Sequence, residues 1–166
     1  MIIILEGPDG AGKTTLADQL LNSLQYGVRI HHHGSYLSCT PNEIQNAYFR
    51  SIYDASPTII MDRSWLSEPI YADVVRKSPS RLSSNHVREL ELAASARGVL
   101  VVNCRPPLST CIKKEDEYVD TNQLKLIYNM YESLPTLLPV INYNWQQRGS
   151  YDELSEHLHR IRTGFR

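Results

Sequence analysis

Apolar residues along this chain follow two rhythms that alternate from one end to the other. Ile2-Ile3-Ile4-Leu5 is wholly apolar and rich in β-branched residues, the pattern of a strand buried on both faces of a parallel sheet. Apolar residues at 16, 17, 20, 21 and 24 then take the i, i+3, i+4 spacing of an amphipathic helix. Strand-like runs recur at 28–33, 58–61, 99–103 and 140–143, the last three entered through Pro57, Gly98 and Pro139. Helical patterns are predicted at about 42–54, 67–77, 84–97, 108–114, 121–133 and 151–162. The segment 78–84, rich in serine, reads as a loop between two helices, with Ser83 or Ser84 capping the second. Strand and helix in alternation predict an α/β sheet of five parallel strands with helices on both faces. Ligands of such sheets lie beyond the carboxyl ends of the strands.

Composition narrows the picture without changing it. The 166 residues suit one domain, 1–166, with a sizeable core. A net charge of −1 gives no global attraction to nucleic acid, so any such contact must come from a local patch. Cys39, Cys104 and Cys111 are odd in number and lack C-x-x-C spacing, which indicates neither a disulfide framework nor a zinc site. No signal peptide is read before the first strand, and no apolar run nears the roughly 20 residues that span a bilayer. The expected setting is the cytoplasm, with no membrane partner.

The chemistry begins between the first strand and the first helix. Gly7-Pro8-Asp9-Gly10-Ala11-Gly12-Lys13-Thr14 matches the phosphate-binding pattern G-x-x-x-x-G-K-[S/T], and the strand–loop–helix setting is the one that pattern requires. Three glycines let backbone N–H groups curl round an anion while the new helix points its positive end at it. Lys13 is placed to reach the β- and γ-phosphates of ATP, and Thr14 to ligate Mg²⁺, with Thr15 beside it. The fold class is therefore the three-layer P-loop NTPase fold. Asp62-Arg63-Ser64 leaves the third strand on the same sheet edge. Asp62 is expected to hold a magnesium-bound water or to take a proton from an attacking hydroxyl. Arg63 is expected to neutralise the transferring phosphoryl group. Lys13, Asp62 and Arg63 form the expected catalytic set, with Thr14 and Asp62 toward the metal.

The segment 6–15, Glu-Gly-Pro-Asp-Gly-Ala-Gly-Lys-Thr-Thr, taken with Asp62-Arg63, resembles the thymidylate kinase family and its deoxynucleoside kinase relatives. The resemblance implies Mg-ATP as the phosphoryl donor and a deoxynucleotide-like acceptor. It implies that Asp9 faces the acceptor and that Arg63 contacts the phosphates being joined. It also implies a lid over the phosphates, here short, at about 113–120, with Lys113 and Lys114 where arginines are usual. Arg105, after the fourth strand, is a further candidate for nucleotide contact.

Three departures bear on the acceptor. His33-Gly34-Ser35-Tyr36 stands where thymidylate kinases carry an Arg-Glu-Pro-Gly segment, and it holds no arginine. Only residues 34–56 separate the second and third strands, which leaves no room for the extra segment bearing a base-stacking phenylalanine. Asp-Arg-Ser resembles the Glu-Arg-Ser of deoxynucleoside kinases, which phosphorylate a hydroxyl. Together these predict a trimmed, open acceptor side. In size and opening segment the chain is similar to a short phage-encoded branch whose kinases modify 5-hydroxymethyluracil within DNA. That likeness makes the hydroxymethyl oxygen the first expected acceptor and the cytoplasm that of a host cell. A deoxynucleoside monophosphate (thymidylate) kinase is the alternative, and a nucleotide-dependent switch or assembly ATPase a lesser one.

Other residues fill out the expectation. In His31-His32-His33 only His31 and His33 share a strand face, so at most two converge on a metal. His33, at the strand end, is a candidate acceptor contact. Tyr36 and Trp65 are expected stacking faces for an extruded base. Arg76, Lys77 and Arg81 form a candidate basic patch for DNA phosphates. Self-association is compatible with all of this.

Overall fold

The computed structural model describes residues 1–24, 27–34, 36, 38–112 and 119–164, with side chains through residue 161. The predicted alternation is present. Strands β1 (Ile2–Glu6), β2 (Val28–His32), β3 (Thr58–Asp62), β4 (Val99–Cys104) and β5 (Val140–Tyr143) form one sheet in the order β2-β3-β1-β4-β5. Every pairing is parallel, with Ile3 of β1 opposite both Ile60 and Leu100.

Alternation along β1 divides the core in two. Ile3 and Leu5 face α1 (Lys13–Leu24), α6 (Thr121–Met130) and α7 (Ser150–Gly164) through Leu16, Leu20, Ile127, Leu154 and Leu158. Ile2 and Ile4 face α2 (Pro41–Ile52) and α4 (Ser84–Ala96) through Ile44, Tyr48, Ile52, Leu90 and Ala94. The four side chains Ile2 to Leu5 are fully buried, which is why that run had to be apolar throughout.

Helix starts follow their caps. Thr40 and Glu43 make a reciprocal capping box for α2, with Pro41 in the first turn. Ser83, not Ser84, caps α4, and Asp120 caps α6 through the N–H groups of Asn122 and Gln123. The stretch predicted as one helix at 67–77 is α3 (Ser67–Tyr71) followed by a wider π-helical turn, Ala72–Arg76, closed by Lys77 in the left-handed region. Helix α5 (Leu108–Ile112) follows β4. The expected lid, with Lys113 and Lys114, falls for the most part at 113–118, outside the described residues.

Candidate active site

The phosphate loop sits where β1 ends at the middle of the sheet. Gly7 has φ +139°, and a Cβ there would stand 2.3 Å from the Cys104 carbonyl oxygen, so only glycine lets the loop lie against β4. Lys13 folds back over the loop, its Nζ donating to the carbonyls of Gly7 at 3.0 Å and Pro8 at 2.7 Å. Burial, and then the neighbouring Arg63, push its ammonium down to about 8. Ala11 is buried beneath the loop, and its N–H donates to the Pro8 carbonyl.

Asp62 is opposite Leu5 on one side and His32 on the other, which delivers its carboxylate to the loop. Its Oδ2 accepts from the Thr14 hydroxyl at 3.0 Å and lies 3.1 Å from His32 Nδ1. A hydroxyl and a carboxylate meeting in this way are hard oxygen donors suited to Mg²⁺, which takes its remaining ligands from phosphates and water. Among the described residues no three His, Cys, Asp or Glu side chains group as a metal site. The three histidines serve different partners: His31 lies 3.3 Å from Asp54, His32 meets Asp62, and His33 turns inward.

Arg63 holds a left-handed backbone, φ +69°, a conformation that costs a non-glycine residue about 1–3 kcal/mol. Its surroundings hold it there. Its backbone N–H donates to Leu5 O at 3.0 Å, and Nη1 donates to Gly7 O at 3.2 Å and to the Tyr131 hydroxyl at 3.4 Å. Nη2 pairs with Asp9, and the guanidinium lies 4.8 Å from the Tyr71 ring centroid. Tyr71 donates its own hydroxyl to Asp9 Oδ2 at 2.5 Å.

Beneath this group lies Glu6, fully buried and supplied with four donors. One oxygen accepts from the Ser64 N–H at 2.8 Å and the Ser64 hydroxyl at 2.6 Å. The other accepts from Ser67 Oγ at 2.6 Å and the Tyr131 hydroxyl at 3.1 Å. Glu6 thus fixes the turn that carries Arg63.

Two cavities meet at Asp9, His33, Gly34 and Arg63. The smaller, about 330 Å³, contains Lys13, Thr14, Thr15, His32 and Asp62. The larger, about 480 Å³, runs past Tyr71 and Ser67 to Glu68 and Arg76. At its far end Glu68 Oε1 accepts from Arg76 Nη2 at 2.5 Å and Arg81 Nε at 3.0 Å, and Oε2 accepts from Arg81 Nη2 at 2.9 Å. Burial would raise the Glu68 carboxyl, but the hydrogen bonds from Arg81 and the charge of Arg76 hold it below its ordinary range. Arg81 also donates to the Tyr36 carbonyl at 2.5 Å, which ties the two walls together.

The structure corrects several expectations about this side. Trp65 is fully buried, edge-on to Tyr48 at 5.7 Å, and lines neither cavity; the apolar ring faces of its indole are taken by the core, although its Nε1–H finds no partner there. Arg76 and Arg81 are not an open basic patch, because both are bound to Glu68. His33 does reach the wall of both cavities, but Nδ1 is engaged by the Tyr36 hydroxyl at 2.5 Å and Nε2 by Ser51 at 3.1 Å. Burial, then His31, push its imidazolium down to about 4, so it is neutral near pH 7. Tyr36 lines the larger cavity. Arg105 lies over the Tyr128 ring at 4.7 Å and lines neither cavity.

Glu6, Ser67, Glu68, Tyr71 and Tyr131 were not singled out from sequence. A signal for three of them was present: Ser64, Ser67, Glu68 and Tyr71 keep the i, i+3, i+4, i+7 spacing of one helical face that is polar where its neighbours are apolar.

Sheet order, glycine loop and the Lys13–Thr14–Asp62 corner together define a P-loop nucleotide-binding fold of the kind found in nucleotide and deoxynucleoside kinases. No protein-family model matches the chain. It is 28% identical over 163 residues to the SPbeta prophage-derived protein YorR of Bacillus subtilis (strain 168), spanning 95% of this chain and 96% of that one. The crystal structure of Bacillus subtilis YorR in complex with phosphorylated GDP superposes with a TM-score of 0.77 at 24% identity, over 97% of this chain and 95% of the other. Deoxyadenosine kinase from M. mycoides with bound dATP has a TM-score of 0.64 at 16% identity, over 96% of this chain and all (100%) of its own. No helix among the described residues is long and apolar enough to cross a membrane.

Proposed function

We propose that this chain is an ATP- and Mg²⁺-dependent kinase that transfers the γ-phosphate to a hydroxyl of a free deoxynucleoside. The observation that carries the reading is the charge balance of the larger cavity. Its lining offers two carboxylates, Asp9 and Glu68, and two guanidiniums, Arg63 paired with Asp9 and Arg76 paired with Glu68, which Arg81 also binds from outside the lining. His33 adds no charge near neutral pH. A neutral nucleoside suits such a lining, whereas a monophosphate acceptor would bring a dianion for which the described lining keeps no unpaired cation. A volume of about 480 Å³ is of the right order for a compact organic ligand. YorR with its phosphorylated GDP and deoxyadenosine kinase with its dATP are in keeping with this reading.

Roles follow from position. Lys13 and the loop N–H groups hold the β- and γ-phosphates, and Thr14 with Asp62 would hold Mg²⁺, which neutralises phosphate charge. Arg63 stands on the wall common to both cavities, where the transferring group must pass. Asp9, on the same wall, orients the acceptor hydroxyl and takes its proton as the new O–P bond forms. The electron pair of the bond to the bridging oxygen leaves with ADP. Glu68 and Arg76, at the far end, offer an acceptor and donors to the edge of a nucleobase.

A second reading keeps the hydroxyl chemistry but takes the acceptor from 5-hydroxymethyluracil in DNA. The prophage origin of YorR and the Tyr36 ring in the cavity wall favour it. It ranks second because Trp65 is in the core and Arg76 and Arg81 are committed to Glu68. One experiment separates the alternatives: γ-labelled ATP incubated with the four deoxynucleosides, dTMP and a hydroxymethyluracil oligonucleotide. Label in a deoxynucleoside is expected. Label confined to the oligonucleotide or to dTMP would replace this reading with the corresponding one. Hydrolysis with no labelled acceptor would favour a switch or assembly ATPase.

A further inference from the structure

The acceptor cavity occupies one side of the phosphate loop, walled by residues that follow β2 and β3. In-line transfer puts donor and acceptor on opposite sides of the moving phosphorus. The side of the loop away from the acceptor cavity is the one toward β4 and β5. On that side two segments press against the loop. The Cys111 backbone lies close under Gly10, and the Trp145 ring leans on Gly12, where a Cβ would stand 3.1 Å from Nε1 and 3.2 Å from Cδ1. Trp145 belongs to the turn after β5 and remains 47% exposed. The turn is held by the Gln146 and Gln147 N–H groups, which donate to Asn144, and by Gln146 Nε2, which donates to Thr110 Oγ1 at 2.9 Å. Among the described residues the only other exposed large aromatic is Tyr53, which stacks on Phe49 at the end of α2.

We propose that Trp145 is the stacking platform for the purine ring of the donor nucleotide. An indole held at the loop's edge, with half its surface open, gives a flat apolar face to a base whose phosphates are on the loop. Such a face prefers a nucleotide to bare polyphosphate without distinguishing one purine from another. The inference rests on the nucleoside triphosphate reading above.

Fluorescence tests it, because the chain has two tryptophans and Trp65 is sealed in the core. The intact protein is titrated with Mg-ATP and with Mg-tripolyphosphate, which lacks a base, and both are followed in parallel by calorimetry. ATP is expected to quench the exposed emission, and tripolyphosphate to bind with much less quenching. W145F should abolish the quench while keeping most of the ATP affinity. W145A should raise the KM for ATP by roughly tenfold and leave the inhibition constant of tripolyphosphate unchanged. Persistence of the quench in W145F, equal quenching by tripolyphosphate, or a KM for W145A within about twofold of wild type would each overturn the proposal. Full ATP binding with any of those results overturns this inference alone. Calorimetry showing that the wild-type protein binds neither ligand would overturn the kinase reading with it.

Discussion

Replacing Glu6 separates two effects that a buried carboxylate combines. Glu6 is fully buried, so removing its charge abolishes a desolvation cost, and an apolar residue of similar size is sometimes neutral or stabilising at such a site. Here the donors decide the outcome. In Glu6→Leu the hydroxyls of Ser67 and Tyr131, already 2.8 Å apart, can bond to each other, but the Ser64 N–H loses its acceptor and its buried position offers no other. An orphaned buried donor costs about 1–3 kcal/mol, and lost hydrogen bonds to a charge add about 1.5–3 kcal/mol each. Allowing for the desolvation that is recovered, a net loss of about 3–5 kcal/mol is expected, a large part of a typical domain's stability. In Glu6→Gln the amide oxygen can keep both Ser64 donors, and its NH₂ can turn to the two hydroxyls, which are able to accept. That variant should lose about 1–2 kcal/mol. Its turnover should fall more than its stability, because the Tyr131 hydroxyl that it reorients is the one Arg63 donates to. Equilibrium urea unfolding by near-UV circular dichroism, with steady-state kinetics on the same samples, reads both quantities. A Glu6→Leu protein as resistant to urea as wild type, with unchanged kcat, would refute the reasoning.

Four further outcomes follow from the same geometry. Lys13→Ala should lower the rate by on the order of a thousandfold or more with the fold intact by circular dichroism, and wild-type kcat/KM for ATP should be pH-dependent. Because the free Lys13 ammonium is pushed down to about 8 and the charged form binds phosphate, activity should be full well below that pH. Above it, activity should decline about tenfold per unit in a kcat/KM profile. Thr14→Val and Asp62→Asn should each raise the Mg²⁺ concentration for half-maximal activity, and the double variant should show less than the product of the two, since the side chains share one 3.0 Å hydrogen bond. Glu68→Gln should raise the acceptor KM and alter the preference among deoxynucleosides while sparing the KM for ATP, measured across the four nucleosides.

Periodicity carried the fold far into the sequence. All five strands stand within a residue or so of where apolar runs and their Pro or Gly entries put them, because buried parallel strands have almost no freedom to be polar. The phosphate loop was legible for a similar reason: backbone close against Cys104 at Gly7 admits a single residue type. Pairing between distant residues was not legible. Arg76 and Arg81 look like surface cations until Glu68 is placed between them, and Trp65 looks available until Tyr48 closes over it. The break in the 67–77 helix was equally hidden, since a π-helical turn uses the same residue types as the helix that it widens.

The way in which Lys13 and Arg63 share one carbonyl links the two cavities. Gly7 O accepts from Lys13 Nζ at 3.0 Å and from Arg63 Nη1 at 3.2 Å, so two cations converge on one neutral oxygen. Arg63 is itself among the causes that lower the Lys13 ammonium. On the proposed function, a triphosphate in the smaller cavity would offer Lys13 a better partner and would leave the Gly7 carbonyl to Arg63. Arg63 also carries Asp9, and Asp9 carries Tyr71, so direct hydrogen bonds run from the Lys13 carbonyl partner to the wall of the larger cavity. Arg63 keeps its costly left-handed backbone at the centre of that chain, in contact with both Gly7 and Asp9.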